Sequence, residues 1–216
     1  MNRTLKAILL SAGLCSLPNL SFSAIVYDNL TSPDLGQQYF PSTPGLEFGD
    51  QITLAGTDRT LSALTVYTFL TAPSATTQSA TLRFYANSGT NAPVAPFYTT
   101  ESRLLEATGF SSYTFNFTTV PPLPDTFTWT IQFSNLGAGE TAGLLLYGPP
   151  AVGSSFNDFW QKDGAGVWSL NQINNGNTLA DFAISFTAVP EPGVLVLGGL
   201  GALLLTGLRR FRKTSR

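Results

Sequence analysis

Hydrophobic and polar side chains alternate along most of the chain between residues 24 and 188. Shorter alternating runs lie at 81–86, 113–118 and 181–187, and the clearest run contains Phe127, Trp129, Ile131 and Phe133, each separated by one polar residue. Successive side chains of a β-strand point to opposite faces, so this pattern predicts strands with one buried and one solvated face. No segment of this region has the period of an amphipathic helix.

Turn-forming residues divide these runs, and further candidate strands lie between the turns. The predicted loops are 33–36, 87–89, 136–139, 149–150 and 174–177, and the further strands are 25–29, 51–54, 61–70, 103–108, 143–147 and 167–170. About ten short strands in one domain are typical of an antiparallel two-sheet β-sandwich. The predicted fold class is therefore all-β, with jelly-roll-like connections, and a β-barrel is the alternative.

The chain contains no His and one Cys, which removes several kinds of chemistry. A Ser-His-Asp triad, a Cys-His pair and a zinc site built on His are excluded. Seven of the 11 basic residues lie at the two ends, whereas all 13 acidic residues lie between Asp28 and Glu191. With four basic and 13 acidic side chains, this middle part has a net charge of −9. It repels phosphate backbones, so we expect no nucleic-acid partner.

The first 23 residues have the features of a secretory signal peptide. Arg3 and Lys6 precede the apolar run 7–14, and the small residues Ser21 and Ser23 suit the cleavage site. The apolar run is short for a bilayer, which favours a signal peptide over a short membrane anchor. We therefore expect signal peptidase to cleave after Ser23.

The end of the chain has three consecutive elements. Val189–Pro192 places Glu191 between two prolines, an apolar run of 16 residues follows at 193–208, and then comes a basic cluster: Arg209, Arg210, Arg212 and Lys213. At about 1.5 Å per residue the apolar run is roughly 24 Å long, which predicts a short transmembrane helix. The basic cluster acts as a stop-transfer signal that stays in the cytoplasm, so the acidic body is expected outside. A plain single-span anchor is the alternative.

These three elements resemble the PEP-CTERM sorting signal, with Pro190, Glu191 and Pro192 at the motif positions. The resemblance implies that an exosortase-type membrane protease recognises the motif and removes the anchor. The protein then passes from the inner membrane to the cell surface or an extracellular polysaccharide matrix of a Gram-negative-type bacterium. The predicted organisation is a signal peptide at 1–23, a β-sandwich domain at 24–188 and a sorting signal at 189–213.

The domain 24–188 also resembles uncharacterised domains found ahead of such tails. The segments that carry this resemblance are Glu47–Asp50, Arg83–Ala86, Asp125–Trp129 and Ala142–Tyr147. The resemblance implies no activity. The main prediction is therefore a non-enzymatic protein of the cell surface or extracellular matrix, associated with exopolysaccharide.

Acidic residues are the remaining candidates for catalysis or metal binding. A glycosidase needs two carboxylates that flank the scissile bond, and the candidates are Glu101, Glu106, Glu140, Asp158 and Asp163. Their spacing defines no such pair, so we expect solvated surface acids. Calcium prefers clustered oxygen ligands on loops. Asp158 and Asp163, or the group Asp28, Asp34, Glu47 and Asp50, leave a structural calcium ion open, and no other cofactor is expected.

The segment 156–168 is the strongest candidate for a binding surface. Trp160 and Trp168 flank a Gly-rich turn that also carries Asp158, Lys162 and Asp163. Exposed aromatic faces stack on sugar rings while carboxylates and amides bind hydroxyl groups, so the alternative function is a carbohydrate-binding module. Because Trp is usually largely buried, the competing interpretation places both rings in the core on adjacent strands.

Overall fold

The computed structural model describes residues 23–43, 45–71, 78–88, 92–105, 108–120 and 122–190. The predicted signal peptide up to residue 22, the apolar run 193–208 and the basic cluster 209–213 lie outside these ranges. Among the described residues, no helix is long and apolar enough to cross a membrane. Ser23–Val189 forms one compact unit.

The described residues of this unit form fourteen strands, one 3₁₀ turn at Asn174–Gly176 and two antiparallel sheets. The strands are β1 (Ala24–Asp28), β2 (Asp34–Tyr39), β3 (Glu47–Thr53), β4 (Thr60–Leu70), β5 (Ser79–Asn87), β6 (Pro93–Thr99), β7 (Arg103–Leu104), β8 (Gly109–Asn116), β9 (Thr126–Ser134), β10 (Ala142–Tyr147), β11 (Ser154–Ser155), β12 (Phe159–Lys162), β13 (Trp168–Asn171) and β14 (Ile184–Val189). The prediction of an all-β fold with two antiparallel sheets is confirmed.

The six-stranded sheet is organised around β4. Strand β8 pairs along β4 on one side. On the other side, β4 pairs with β14 near its start and with β10 at its end. Strand β1 then pairs with β14, and β2 pairs with β10.

The eight-stranded sheet has the order β13-β12-β3-β9-β5-β6, with β11 beside β3 and β7 beside β5. The long consecutive strands change sheets repeatedly, since β3, β5 and β9 belong to this sheet whereas β4, β8 and β10 belong to the other. The two sheets pack face to face as a β-sandwich, because the side chains of both contribute to one hydrophobic core.

Aromatic rings from both sheets fill the core. The Phe182 ring centroid lies 5.7 Å from that of Phe48, 5.8 Å from that of Phe159 and 6.1 Å from that of Trp129. Edge-to-face packing of this kind adds to the hydrophobic stabilisation. The alternating hydrophobic residues of β9 are all buried, as the sequence predicts: Phe127, Trp129, Ile131 and Phe133.

Three edge elements differ from the sequence prediction. Strand β2 covers most of the predicted loop 33–36, because Gly36, with a φ of +65°, allows a bulge in its pairing with β10. Strand β6 contains Pro93 and Pro96 and, among the described residues, pairs only with β5, and a missing N–H is tolerated on such an edge strand. Strand β7 has two residues, which is shorter than the predicted strand 103–108.

The first and last strands of the unit are direct neighbours. Ala24 pairs with Ala188, and β14 ends at Val189, one residue before the exposed Pro190. The chain therefore enters and leaves the sandwich side by side on one sheet.

Candidate functional site

The predicted binding segment forms a hairpin of β12 and β13. Asp163 shapes the turn, because its Oδ1 accepts the N–H of Ala165 at 2.9 Å and that of Val167 at 2.8 Å. Gly166 completes the turn with a φ of +86°, a left-handed conformation that favours glycine. Asp163 is exposed and acts here as a turn-forming residue.

The two tryptophans of the hairpin differ in exposure. Trp160 is 9% exposed and pairs with Gly49 on β3, which has no side chain on that face. Trp168 is half-buried, and its ring meets Tyr85 edge-on with a centroid distance of 5.1 Å. Lys162 Nζ lies 5.3 Å from the Trp168 centroid, within range of a cation–π interaction. Trp168 therefore presents more of its ring to solvent than Trp160 does.

Glu47 lies at the centre of a polar network on this face of the eight-stranded sheet. Its Oε1 accepts hydrogen bonds from the hydroxyl groups of Tyr85 and Thr130, both at 2.6 Å. Its Oε2 lies 3.3 Å from Arg83 Nη1 and 3.9 Å from Lys162 Nζ. Two cations thus compensate one carboxylate that is 6% exposed.

The hairpin covers this network and makes the outer face of the sheet a second buried layer. Tyr85 is 1% exposed although it points away from the core, because Trp168 and Lys162 pack against its ring. Burial, then the hydrogen bond to Glu47 and the negative charge of Glu47, raise the pKa of Tyr85. The phenol therefore stays protonated and donates its hydrogen bond at neutral pH.

A polar cavity of about 440 Å³ adjoins the hairpin. Its lining residues are Asp158, Leu170, Asn171, Gln172 and Asn175. Leu170 follows Trp168 by two positions on β13, so both side chains lie on the same face of the strand. Three amides and one carboxylate offer donors and acceptors beside an exposed apolar residue, and the volume suits a small ligand. Of the predicted site residues, Asp158 lines this cavity, whereas Trp168 lies two positions before the lining residue Leu170.

The acidic residues considered for catalysis occupy different environments. Glu140 is 3% exposed, so the expectation of a solvated acid was wrong for it. Its Oε2 accepts the Gln78 amide at 2.7 Å and the Gly137 N–H at 2.6 Å, which closes the loop between β9 and β10. Glu101 is exposed, Asp158 is half-buried, and burial raises the pKa of Asp158. Glu106 lies outside the described residues.

A second groove, of about 680 Å³, was not predicted from the sequence. It lies where β6, β7 and β8 approach one another, and its lining includes Tyr98, Glu101, Arg103, Tyr113 and Phe115. The Arg103 guanidinium lies 5.4 Å from the Phe115 centroid and 5.7 Å from that of Tyr113. Arg103 thus packs over aromatic faces that would otherwise stack on a ligand. The groove brings together strands distant in the sequence, which no local pattern indicates.

Pro190 is the one residue of the sorting motif that the structure describes, and it is exposed directly after β14. Glu191, Pro192 and the basic residues Arg209, Arg210, Arg212 and Lys213 lie outside the described ranges. No protein-family model, curated protein or solved structure matches the chain.

Proposed function

We propose that the chain is a non-enzymatic, exported protein of the cell surface or extracellular matrix, sorted by an exosortase-type protease. Its sandwich domain serves as a structural or adhesive unit in contact with exopolysaccharide. Signal peptidase removes the N-terminal segment, and the C-terminal segment holds the protein briefly in the inner membrane before cleavage near Pro190–Pro192. The alternation of long strands between the sheets supports the jelly-roll-like connectivity that the sequence predicts.

The observation that carries this proposal is where the compact unit ends. It runs from Ser23 to Val189, so it exceeds the predicted domain 24–188 by one residue at each end. The last strand pairs with both β1 and β4. Cleavage on either side of the unit therefore leaves the hydrogen-bonded sheets intact, as release from a membrane anchor requires.

The settings of the acidic residues support a non-enzymatic role. Glu140 closes a loop, Asp163 forms a turn and Asp158 lines the cavity beside the hairpin. These three candidates serve separate local roles, whereas glycoside hydrolysis needs two carboxylates on opposite sides of one bond.

Replacing Glu191 by Ala in the full chain tests the sorting step. We expect the uncleaved form to replace the released form almost completely, because the protease loses the carboxylate between the two prolines. The measurement is fractionation of the native host followed by an immunoblot of the membrane and extracellular fractions. Glu101→Ala is the matched control, since it removes an exposed acid from the sandwich and leaves the tail unchanged. Release of the Glu191→Ala protein at the normal level would count against sorting by an exosortase.

A second candidate function is carbohydrate binding at the hairpin. The observation that favours it is the half-buried Trp168 ring on the same strand face as Leu170, which lines a cavity together with three amides and Asp158. The amides suit sugar hydroxyl groups, and the exposed part of the indole suits a sugar face. In this arrangement Trp160 supports the hairpin from below, and Trp168 makes the contact.

Trp168→Ala in a protein of residues 24–189 tests this binding. Loss of one aromatic contact is worth about 1.5 kcal/mol, so we expect retardation in gels that contain the host's exopolysaccharide to weaken roughly tenfold. Phe110→Ala is the control, because Phe110 is an aromatic residue of β8 that is 52% exposed and packs on Tyr67 instead. Equal retardation of the two variants would exclude Trp168 as the binding residue.

A further inference from the structure

One carboxylate lies inside the core of the sandwich. Asp50 occupies the core face of β3 between Phe48 and Ile52, opposite Trp129 on β9, and is 1% exposed. Neither of its oxygens accepts a hydrogen bond from the part of the chain that the structure describes. The Gln51 N–H and the Ser155 hydroxyl lie near it and lower its pKa slightly, but neither is within hydrogen-bonding geometry. A buried carboxylate without partners is strongly unfavourable unless a proton or a cation neutralises it.

Further acidic groups lie close to Asp50. Asp181, on the segment before β14, is 4% exposed and accepts a hydrogen bond from Ser155 Oγ. Asp158 is half-buried on the segment that leads into β12. Burial, followed by the negative charges of Asp181 and Asp158, raises the pKa of Asp50 well above its ordinary value. Ser155 pairs with Ile52, the next core-face position of β3 after Asp50, so its hydrogen bond to Asp181 brings Asp50 and Asp181 to the same part of the core.

No basic side chain of the sandwich compensates these acids. The chain has only four basic residues between Asp28 and Glu191, and each has a place elsewhere. Arg59 pairs with Asp125 at 2.7 Å, Arg83 and Lys162 lie beside Glu47, and Arg103 packs over Tyr113 and Phe115. The compensating charge therefore has to come from outside the folded chain.

The polar groups near these acids include the Trp129 indole N–H, which lies opposite Asp50 and has no partner among the described residues, and an amide oxygen beside Asp181. Asn29 is fully buried and donates its amide to the Phe182 carbonyl, directly after Asp181, while its Oδ1 has no partner among the described residues. Within the same residues, no three acidic side chains form a ready-made metal cage. An ion near Asp50 would thus take two carboxylates and complete its shell with hydroxyl, amide and water oxygens, which calcium accepts.

We propose that Asp50 and Asp181 bind a structural calcium ion between the two sheets, with Asp158 at its entrance. Asp158 also lines the polar cavity beside the hairpin, so of the three acids it is the one that meets this cavity. The ion joins β3 to the segment before β14, so it ties one sheet to the other. This site does not depend on the sorting pathway or on sugar binding.

Terbium luminescence of the full chain, purified in a non-ionic detergent, tests the site. Trp129 lies directly opposite Asp50, so its indole is placed to sensitise Tb³⁺ bound there. We expect a saturable signal that Ca²⁺ displaces, and a melting temperature that rises by about 5–10 °C at saturating Ca²⁺. Asp50→Asn should weaken binding at least roughly tenfold and remove the thermal shift. It should still fold, because it removes a buried charge.

The matched control is Asp58→Asn, which removes an acid from the loop before β4 and should keep both responses. Absence of a saturable signal in the unmodified chain overturns the proposal. Normal Tb³⁺ binding by the Asp50→Asn chain also overturns it, because surface acids would then bind the ion. If Asp50→Asn lacks the native circular dichroism spectrum, Asp181→Asn replaces it with the same expected loss, because Asp181 is the other proposed ligand. A melting temperature that does not change with the Ca²⁺ concentration but rises as the pH falls would show that protons neutralise the acids instead.

Discussion

Gly49→Ala is expected to lower the free energy of unfolding by about 4 kcal/mol or more, or to prevent folding. An ideal Cβ at this position would lie 2.0 Å from the Trp129 carbonyl oxygen and 2.6 Å from the Thr130 Cα. Both atoms belong to the backbone of β9, which is hydrogen-bonded to β3 on one side and to β5 on the other. Neither strand can move away without breaking a ladder, so the added methyl group cannot be accommodated by side-chain rearrangement.

Urea unfolding of residues 24–189 measures this effect, because this fragment comprises the compact unit and its core. Gly164→Ala is the matched control. Gly164 lies in the hairpin turn, and no heavy atom lies within 4 Å of an ideal Cβ built there. The free energy of unfolding of the Gly164→Ala protein should therefore change by no more than about 0.5 kcal/mol. Equal midpoints for the two variants would show that β3 and β9 do not approach as closely as the pairing requires.

The strands that are predictable from the sequence are those in which a single local rule operates. In β9, Phe127 to Phe133 alternate with polar residues because one side of the strand faces the core, and a period of two reveals this directly. A period of two does not predict the whole of β3. Its core face reads Phe48, Asp50 and Ile52, so a buried acid interrupts the pattern, and the sequence predicts only residues 51–54.

The candidate site shows a second limit of local patterns. Tyr85 and Thr130 lie on the outer face of their sheet, which a period of two assigns to solvent, yet they are 1% and 0% exposed. They are buried because the hairpin of β12 and β13, distant in the sequence, folds over them. The hairpin turn at Asp163 is predictable because it follows from adjacent residues. The buried layer beneath the hairpin depends on tertiary contacts, so local sequence patterns do not predict it.

Hydrogen-bond partners are likewise invisible in the sequence. Glu47 and Glu101 have the same side chain, but one lies at the centre of a buried network and the other is exposed. The difference comes from Arg83 and Lys162, which two separate strands bring to Glu47. The sequence therefore identifies the hairpin but not the carboxylate that holds it to the sheet.

Glu47→Ala is expected to lower the free energy of unfolding by about 3–5 kcal/mol. The substitution leaves the hydroxyl groups of Tyr85 and Thr130 without their acceptor in a buried layer, and it removes the compensating charge from Arg83 and Lys162. Because Lys162 and Trp168 pack on Tyr85, the hairpin should detach first. Urea unfolding of residues 24–189, followed by Trp fluorescence, measures both the loss of stability and the change around Trp168.

Asp125→Ala separates a buried network from a surface ion pair. Asp125 pairs with Arg59 at 2.7 Å, but its side chain is 83% exposed, so the loss should stay below about 1 kcal/mol. A double-mutant cycle of Glu47→Ala and Tyr85→Phe then isolates the hydrogen bond from the Tyr85 hydroxyl to the Glu47 carboxylate. Because the acceptor is charged, the coupling energy of this pair should reach about 1–3 kcal/mol. If Glu47→Ala costs no more than Asp125→Ala, water reaches the carboxylate, and the hairpin does not close over the sheet. A large loss with no coupling to Tyr85 would instead assign the stabilisation to the two cations.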